Sequence, residues 1–307
     1  MPLIVARNEG NKPFIKDVPP HPEGANFYPT DITKHEFETW LSTLSKEEKD
    51  LAEGYYTTIR RVNGNLTIVP FSKEYKLLLD AASDEFKKAA AVVSDSTLKK
   101  FLTQRADAFH TNDYLDSDIA WYNVSSSSPL EVTAGPYEVY DDELYGYKAA
   151  YEIYIHVRDF NATETLQKFT SSLKWIEECL PVPEKYRNTE LKAPVIVVVN
   201  QIWAGGMRMS LIKLSNLESV PMTLAYNLPN DIHAIRAAGS KLVMMKNVQE
   251  AKFHTILEKI ASVAIDEDQL KYITYASNLT ELIQVPRPSI HISFYTRYAT
   301  PMGHIMF

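Results

Sequence analysis

Apolar positions along the chain change their period after its first third. Early on they recur at helical spacing. Leu98, Phe101, Leu102, Arg105 and Phe109 share one face of a helix predicted over 98–109, and a second helical stretch runs from Lys73 to Val93. Two helix starts precede these: Thr33 with Glu36, and Ser45 with Glu48, are each spaced for a capping box, and Ile32 and Phe37 are spaced for a hydrophobic staple. Asn63-Gly64, inside an alternating stretch, signals a hairpin or a plain loop. Later the period falls to two. In YEIYIHV, Tyr151, Ile153, Ile155 and Val157 point one way and Glu152, Tyr154 and His156 the other, the pattern of a half-buried strand.

The β-branched run Val195 to Val199 is typical of a fully buried strand. MTLAYN and SKLVMMKN read as two more strands. ETLQKFTSSLKWIEECL between them predicts a helix that ends before Pro181, and a further helix is predicted from Val248 to about Val263. Gly205-Gly206 reads as a bend after a strand. This order, helices followed by strands interleaved with a helix, predicts an α+β fold: a small mixed or closed, β-barrel-like sheet surrounded by helices. Residues 1–30, rich in Pro, Asn and charge, read as an extended N-terminal arm over the surface.

Composition narrows the function classes. The 307 residues are 45% hydrophobic and 23% charged, an ordinary globular make-up long enough for two domains or lobes. The net charge of -7 lacks the basic excess of a phosphate-tracking surface, so no nucleic acid is expected as the main partner. An acidic cleft suits a cationic group such as a peptide amino terminus. The single cysteine, Cys179, excludes an intrachain disulfide framework and a cysteine-rich zinc module; it reads as a reduced, partly buried thiol. The N-terminal apolar stretch is too short for a signal sequence or a membrane span, which makes a cytoplasmic location and no membrane partner the default expectation. Four Asn-x-Ser/Thr sequons read as chance.

Few motifs carry chemistry. There is no Gly-rich phosphate loop ending in Gly-Lys-Ser/Thr and no G-x-S-x-G elbow. His35-Glu36 opens like a zinc helix, but Thr39 and Trp40 stand where the second histidine would be needed. None of the eight histidines forms a pair at metal spacing. Asp113, Asp116 and Asp118 lack the glycine and closing glutamate of a calcium loop. The stretch GPYEVYDDELYGYKAAYE brings Glu138, Asp141, Asp142 and Glu143 among tyrosines. It is either a solvated acidic loop packed by rings or a ligand rim with carboxylates for an ammonium group. LAYNLPND, from Leu224 to Asp231, is either turn chemistry or the polar end of a binding cleft.

Several blocks together resemble one family. FYPTDITKHEFETW, GYYTTIRR, LKKFLTQRADAF, DYLDSDIAW, PLEVTAGPYEVYDDELYGYKAAYE, YNLPND and GSKLVMMKNVQEAKF, in this order and spacing, look like dipeptidyl peptidase III zinc exopeptidases, closest to the branch that carries a nudix-like name. The likeness covers roughly Asn26 to Tyr275. It implies a lower lobe built around a five-stranded barrel, facing a mainly helical upper lobe that carries zinc. The implied organisation is an arm over 1–30, a helical region leading into the lower-lobe sheet over 31–159, and an excursion towards the upper lobe over 160–186. Lower-lobe strands follow over 187–250, then a helix towards the upper lobe over 251–275, and an off-family tail over 276–307.

The resemblance also implies site residues. Asn227 and Asn230 would bind a substrate's amino end and main chain, and Glu131 would hold its free ammonium, with Glu138 a second candidate in the same rim. Thr133 stands where some members carry a tyrosine. The implied activity is release of dipeptides from the N-terminus of short peptides, by a zinc-bound water with a helix glutamate as base. No His-Glu-x-x-His, nor its one-residue-longer form, occurs in these residues. The expectation is therefore a substrate-binding portion, inactive by itself and holding no zinc of its own. The alternatives are a non-catalytic peptide-binding or regulatory remnant, or an unstable truncated product.

Overall fold

Helix starts follow the chemistry of their caps. The hydroxyl of Thr33 accepts from the Glu36 N–H to begin α1 (Lys34–Thr43), but Glu36 does not close the box; its carboxylate binds Arg61 instead, at 2.7 and 3.1 Å. In α2 (Lys46–Ala52) the box is complete, with Ser45 and Glu48 each accepting the other's backbone N–H. Strands β1 (Thr57–Val62) and β2 (Asn65–Pro70) pair antiparallel. Asn63 (φ 51°) and Gly64 (φ 83°) supply the two positive φ angles of the hairpin turn. The stretch expected as one helix from Lys73 is divided at Tyr75 into α3 (Phe71–Glu74) and α4 (Lys76–Val92). Helix α5 (Ser96–Thr111) buries the predicted face, Arg105 included, and packs on α4 and on α6 (Leu115–Tyr122).

The computed structural model describes residues 22–170, 172–187, 195–206 and 223–252. Most of the expected N-terminal arm lies outside these residues. Its described end is no surface arm: Ala25, Phe27 and Tyr28 are buried, and the Ile59 N–H donates to the Phe27 carbonyl at 2.8 Å. The later half holds β3 (Leu130–Glu138), β4 (Ala150–Arg158), α7 (Phe160–Thr170), α8 (Leu173–Glu178) and a 3-10 turn at Glu184–Tyr186. Then come β5 (Val195–Gly206), β6 (Ala225–Leu228), α9 (Ile232–Ala237), β7 (Lys241–Met245) and α10 (Lys246–Lys252). The helix expected before Pro181 is thus two helices, and Gly205-Gly206 ends a strand rather than forming a bend after it. The residues beyond Lys252 in the predicted last helix, and the tail over 276–307, lie outside the described residues.

The fold is α+β. Five strands form one mixed sheet in the order β3-β4-β5-β7-β6. Strands β5 and β7 run parallel, from Val195 opposite Lys241 to Val199 opposite Met245, and β6 is antiparallel to β7. The chain divides into two compact units. Among the described residues the first holds 22–126, 133–154 and 204–206. Its core is aromatic, with Phe27, Phe37 and Phe71 around Ile59. The second holds 127–132, 155–203 and 223–252 as far as described. There Ile196, Ala225, Leu242 and Met244 pack with Leu166 of α7 on one face of the sheet. Among the described residues no helix is long and apolar enough to cross a membrane.

Candidate functional site

Asn227 and Asn230 meet at the end of β6. Strand pairing fixes which way Asn227 points: it stands opposite Leu242, while its neighbours Tyr226 and Leu228 stand opposite Val243 and Lys241. Side chains alternate along a strand, so Asn227 shares the face of Leu242 and Met244, and Lys241 lies on the other. The Asn227 Oδ1 is buried and accepts no hydrogen bond among the described residues. That is a costly state for an amide oxygen in a finished core. The strand ends at the cis Leu228–Pro229 peptide, Asn230 is exposed, and Asp231 caps α9 by accepting from the His233 and Ala234 N–H groups at 2.7 and 2.9 Å. Of the three polar residues in the segment, the turn chemistry belongs to Asp231.

Glu131 lies elsewhere. It is fully buried, and both its carboxylate oxygens are engaged. Oε2 accepts from Arg158 through Nε at 3.0 Å and through Nη2, and Oε1 accepts from the Lys241 ammonium at 3.1 Å. Arg158 and Lys241 are almost as completely enclosed, with side chains 3% and 1% exposed. Burial acts to raise the Glu131 pKa, yet the two cations outweigh it and hold the carboxyl below its usual range. Since Lys241 and Asn227 are on opposite faces of the β6–β7 pair, the structure brings the two asparagines together and sets Glu131 apart from them. Thr133, two residues on, is buried.

This arrangement explains a reversal in β4. The apolar side of YEIYIHV was the natural one to bury, but Tyr154, His156 and Arg158 are the buried residues, and Val157 is 40% exposed. Arg158 is drawn in by Glu131. The His156 ring stacks on Tyr226, 6.1 Å between centroids, and burial pushes its pKa down to about 4 against the opposing charge of Glu131. An enclosed imidazole is thus kept neutral beside an enclosed carboxylate.

The acidic stretch is not solvated. Glu138, Asp141 and Asp142 are all buried. Asp142 organises its own loop: Oδ2 accepts from the Tyr28 hydroxyl (2.9 Å) and the Tyr147 and Lys148 N–H groups, and Oδ1 from those of Leu144 and Tyr145. Lys148 then donates to the carbonyls of Ala52 and Gly54 at the end of α2 and to the Thr57 hydroxyl, and burial lowers its pKa to about 7. Arg105 pairs with Asp118 and is ringed by Phe101, Tyr114 and Tyr137. Cys179 is exposed, not partly buried as expected, because α8 ends there before the chain turns at Pro181. The partners of Glu131 were missed in the sequence. The signals available were a charge in phase with Tyr154 and His156, and a lysine at the head of the apolar run LVMM.

Among the described residues no group of three or more His, Cys, Asp or Glu side chains is placed to hold a metal ion, so this part of the chain does not fit zinc.

Comparison with known proteins agrees with the geometry. The chain is 38% identical over 283 residues to a protein of Arabidopsis thaliana named Nudix hydrolase 3, covering 85% of this chain and 35% of that protein. Its structure is similar to that of DPP III from Caldithrix abyssi, with a TM-score of 0.79 and 40% identity, covering 89% of this chain and 51% of the other. It is also similar to dipeptidyl-peptidase III from Corallococcus sp. strain EGB, with a TM-score of 0.73 and 40% identity over 86% and 49% of the two chains. The chain thus spans about half the length of these solved relatives, and less of the plant protein. The family model for peptidase family M49 matches residues 21–285, and the chain belongs to that family.

Proposed function

We propose that this chain is the peptide-binding portion of a zinc-dependent dipeptidyl peptidase that releases dipeptides from the N-terminus of short peptides. Membership of peptidase family M49 supports the class of reaction, and likeness to two dipeptidyl peptidases supports the dipeptide product. One observation carries the assignment to a site: the buried Asn227 Oδ1 that accepts no hydrogen bond among the described residues, at the end of a strand and three residues from the exposed Asn230. An amide side chain both donates and accepts, as a peptide unit does, so two amides at this spacing match the main chain of an extended ligand. For the ligand's ammonium the proposed partners are Glu131 and Glu138. Glu131 serves only in exchange for Lys241, whose ammonium it already holds.

Zinc and the general base are proposed to come from a part of the protein outside these 307 residues, since the sequence contains no His-Glu-x-x-His. Alone, the chain is proposed to bind peptides without cleaving them, in the cytoplasm. Titration calorimetry of the purified chain with a tetrapeptide tests the binding, and incubation with Zn²⁺ and a dipeptidyl arylamide tests the lack of turnover. Zinc-dependent arylamine release would refute the second statement and leave the first standing.

A further inference from the structure

We infer that Lys241 is an internal ammonium seated on Glu131, and that a ligand's primary ammonium reaches this carboxylate only by taking the place of Lys241. The peptide arm of the argument rests on the proposed peptide-binding function; the seat itself does not.

The geometry is that of a filled cation site. Lys241 Nζ stands 3.1 Å from Oε1 of Glu131, and Arg158 takes Oε2 by two of its nitrogens. The two cations are held on separate oxygens. The arginine fork is the fixed clamp, while the lysine presents a point charge on a flexible stem, which is also the form of a peptide's amino terminus. Lys241 begins β7, so its backbone is set by pairing with Val195 on one side and Leu228 on the other, and only its stem is free to reorient. All three charged groups are enclosed, and a third cation added beside Arg158 and Lys241 would be buried with no carboxylate of its own. Ligand ammonium and Lys241 therefore exclude each other. Lys241 becomes a specificity-determining residue: with it in place the chain reads a free amino terminus poorly, and without it Glu131 is open to one.

Two measurements test this. In the first, Lys241→Ala is melted with and without n-propylammonium, next to wild type and to the double variant Glu131→Gln, Lys241→Ala. The amine is expected to raise the melting temperature of Lys241→Ala alone; equal effects on all three proteins would overturn the seat. In the second, a tetrapeptide and its N-acetylated form are titrated into wild type and Lys241→Ala. Wild type is expected to bind the two forms within a few-fold of each other, and Lys241→Ala to prefer the free amine by about tenfold or more, the scale of one charge-assisted hydrogen bond. A wild-type preference of that size, lost in Glu131→Gln, would overturn the exclusion. If neither peptide binds either protein, the proposed function fails and the melting series decides the seat.

Discussion

Replacing Glu131 with Gln keeps the side chain's size and removes the charge that Arg158 and Lys241 both bind. Glu131 is 0% exposed, so water cannot stand in for the lost carboxylate. Deleting one member of a buried ion pair costs about 3–5 kcal/mol, mainly because the other stays enclosed without its partner. Two cations lose the same anion here, which puts the expectation at the upper end, a large share of a typical domain stability of about 5–15 kcal/mol. With a urea slope of about 2 kcal/mol per molar, the unfolding midpoint should fall by about 2 M. Lys241→Met is the comparison. It removes one cation, leaves Arg158 on the carboxylate and fills the space with an apolar chain, so its cost is expected at about 1–2 kcal/mol. Urea unfolding of the three proteins, followed by far-UV circular dichroism, measures both values. A midpoint for Glu131→Gln equal to or above that of Lys241→Met would refute the reasoning, because it would mean that the carboxylate is not what holds the two cations in the interior.

Other expectations follow from the same interior. A Cβ at Gly135 would stand 2.5 Å from Arg105 Nη1 and 2.9 Å from Tyr137 Cζ, and the aromatic ring around Arg105 leaves it nowhere to go; Gly135→Ala should cost about 1–3 kcal/mol, read as a lower melting temperature. Asp142→Asn replaces an oxygen that accepts several hydrogen bonds by an NH₂ that accepts none, and should cost about 1–3 kcal/mol while exposing the 142–148 loop to faster proteolysis. His156 has a folded pKa of about 4, below its model value of 6.5, so between these pH values the unfolded chain takes up a proton that the folded chain does not. Its contribution therefore falls as pH drops from about 6.5 towards 4, by up to about 3 kcal/mol. The melting temperature of His156→Phe should change less between pH 7 and pH 5 than that of wild type, and an unchanged slope would contradict the assignment.

What the sequence made legible was local. Ser45 and Glu48 announce their cap because the bonds they make lie within one turn, and Asn63-Gly64 announces its hairpin because the turn needs two positive φ angles. Arg105 on an apolar helix face was visible as an oddity, though not its pairing with Asp118 thirteen residues on. The buried side of β4 was not legible. Hydrophobic alternation favours Ile153, Ile155 and Val157, and what reverses it is a carboxylate 27 residues away in sequence, itself tied to a lysine 110 residues further on. Periodicity does not see charge pairing at such separations. The acidic stretch misled for a related reason. Its charge suggested water, but Asp142 finds its donors in backbone N–H groups of its own loop. For the candidate site, the amides of LAYNLPND could be singled out from the sequence, while the free oxygen of Asn227 and the occupied oxygens of Glu131 are properties of the folded chain.

The most direct test of the account is the affinity of a short peptide for wild type and for Asn227→Ala. Asn227 Oδ1 makes no hydrogen bond among the described residues, so its removal should leave the urea midpoint within about 0.5 kcal/mol of wild type, or raise it. If this amide receives the ligand's main chain, calorimetry should show binding weakened by about tenfold in the same variant. Equal peptide affinity in the two proteins, with both folded, would contradict the central claim that the end of β6 is where the peptide is held.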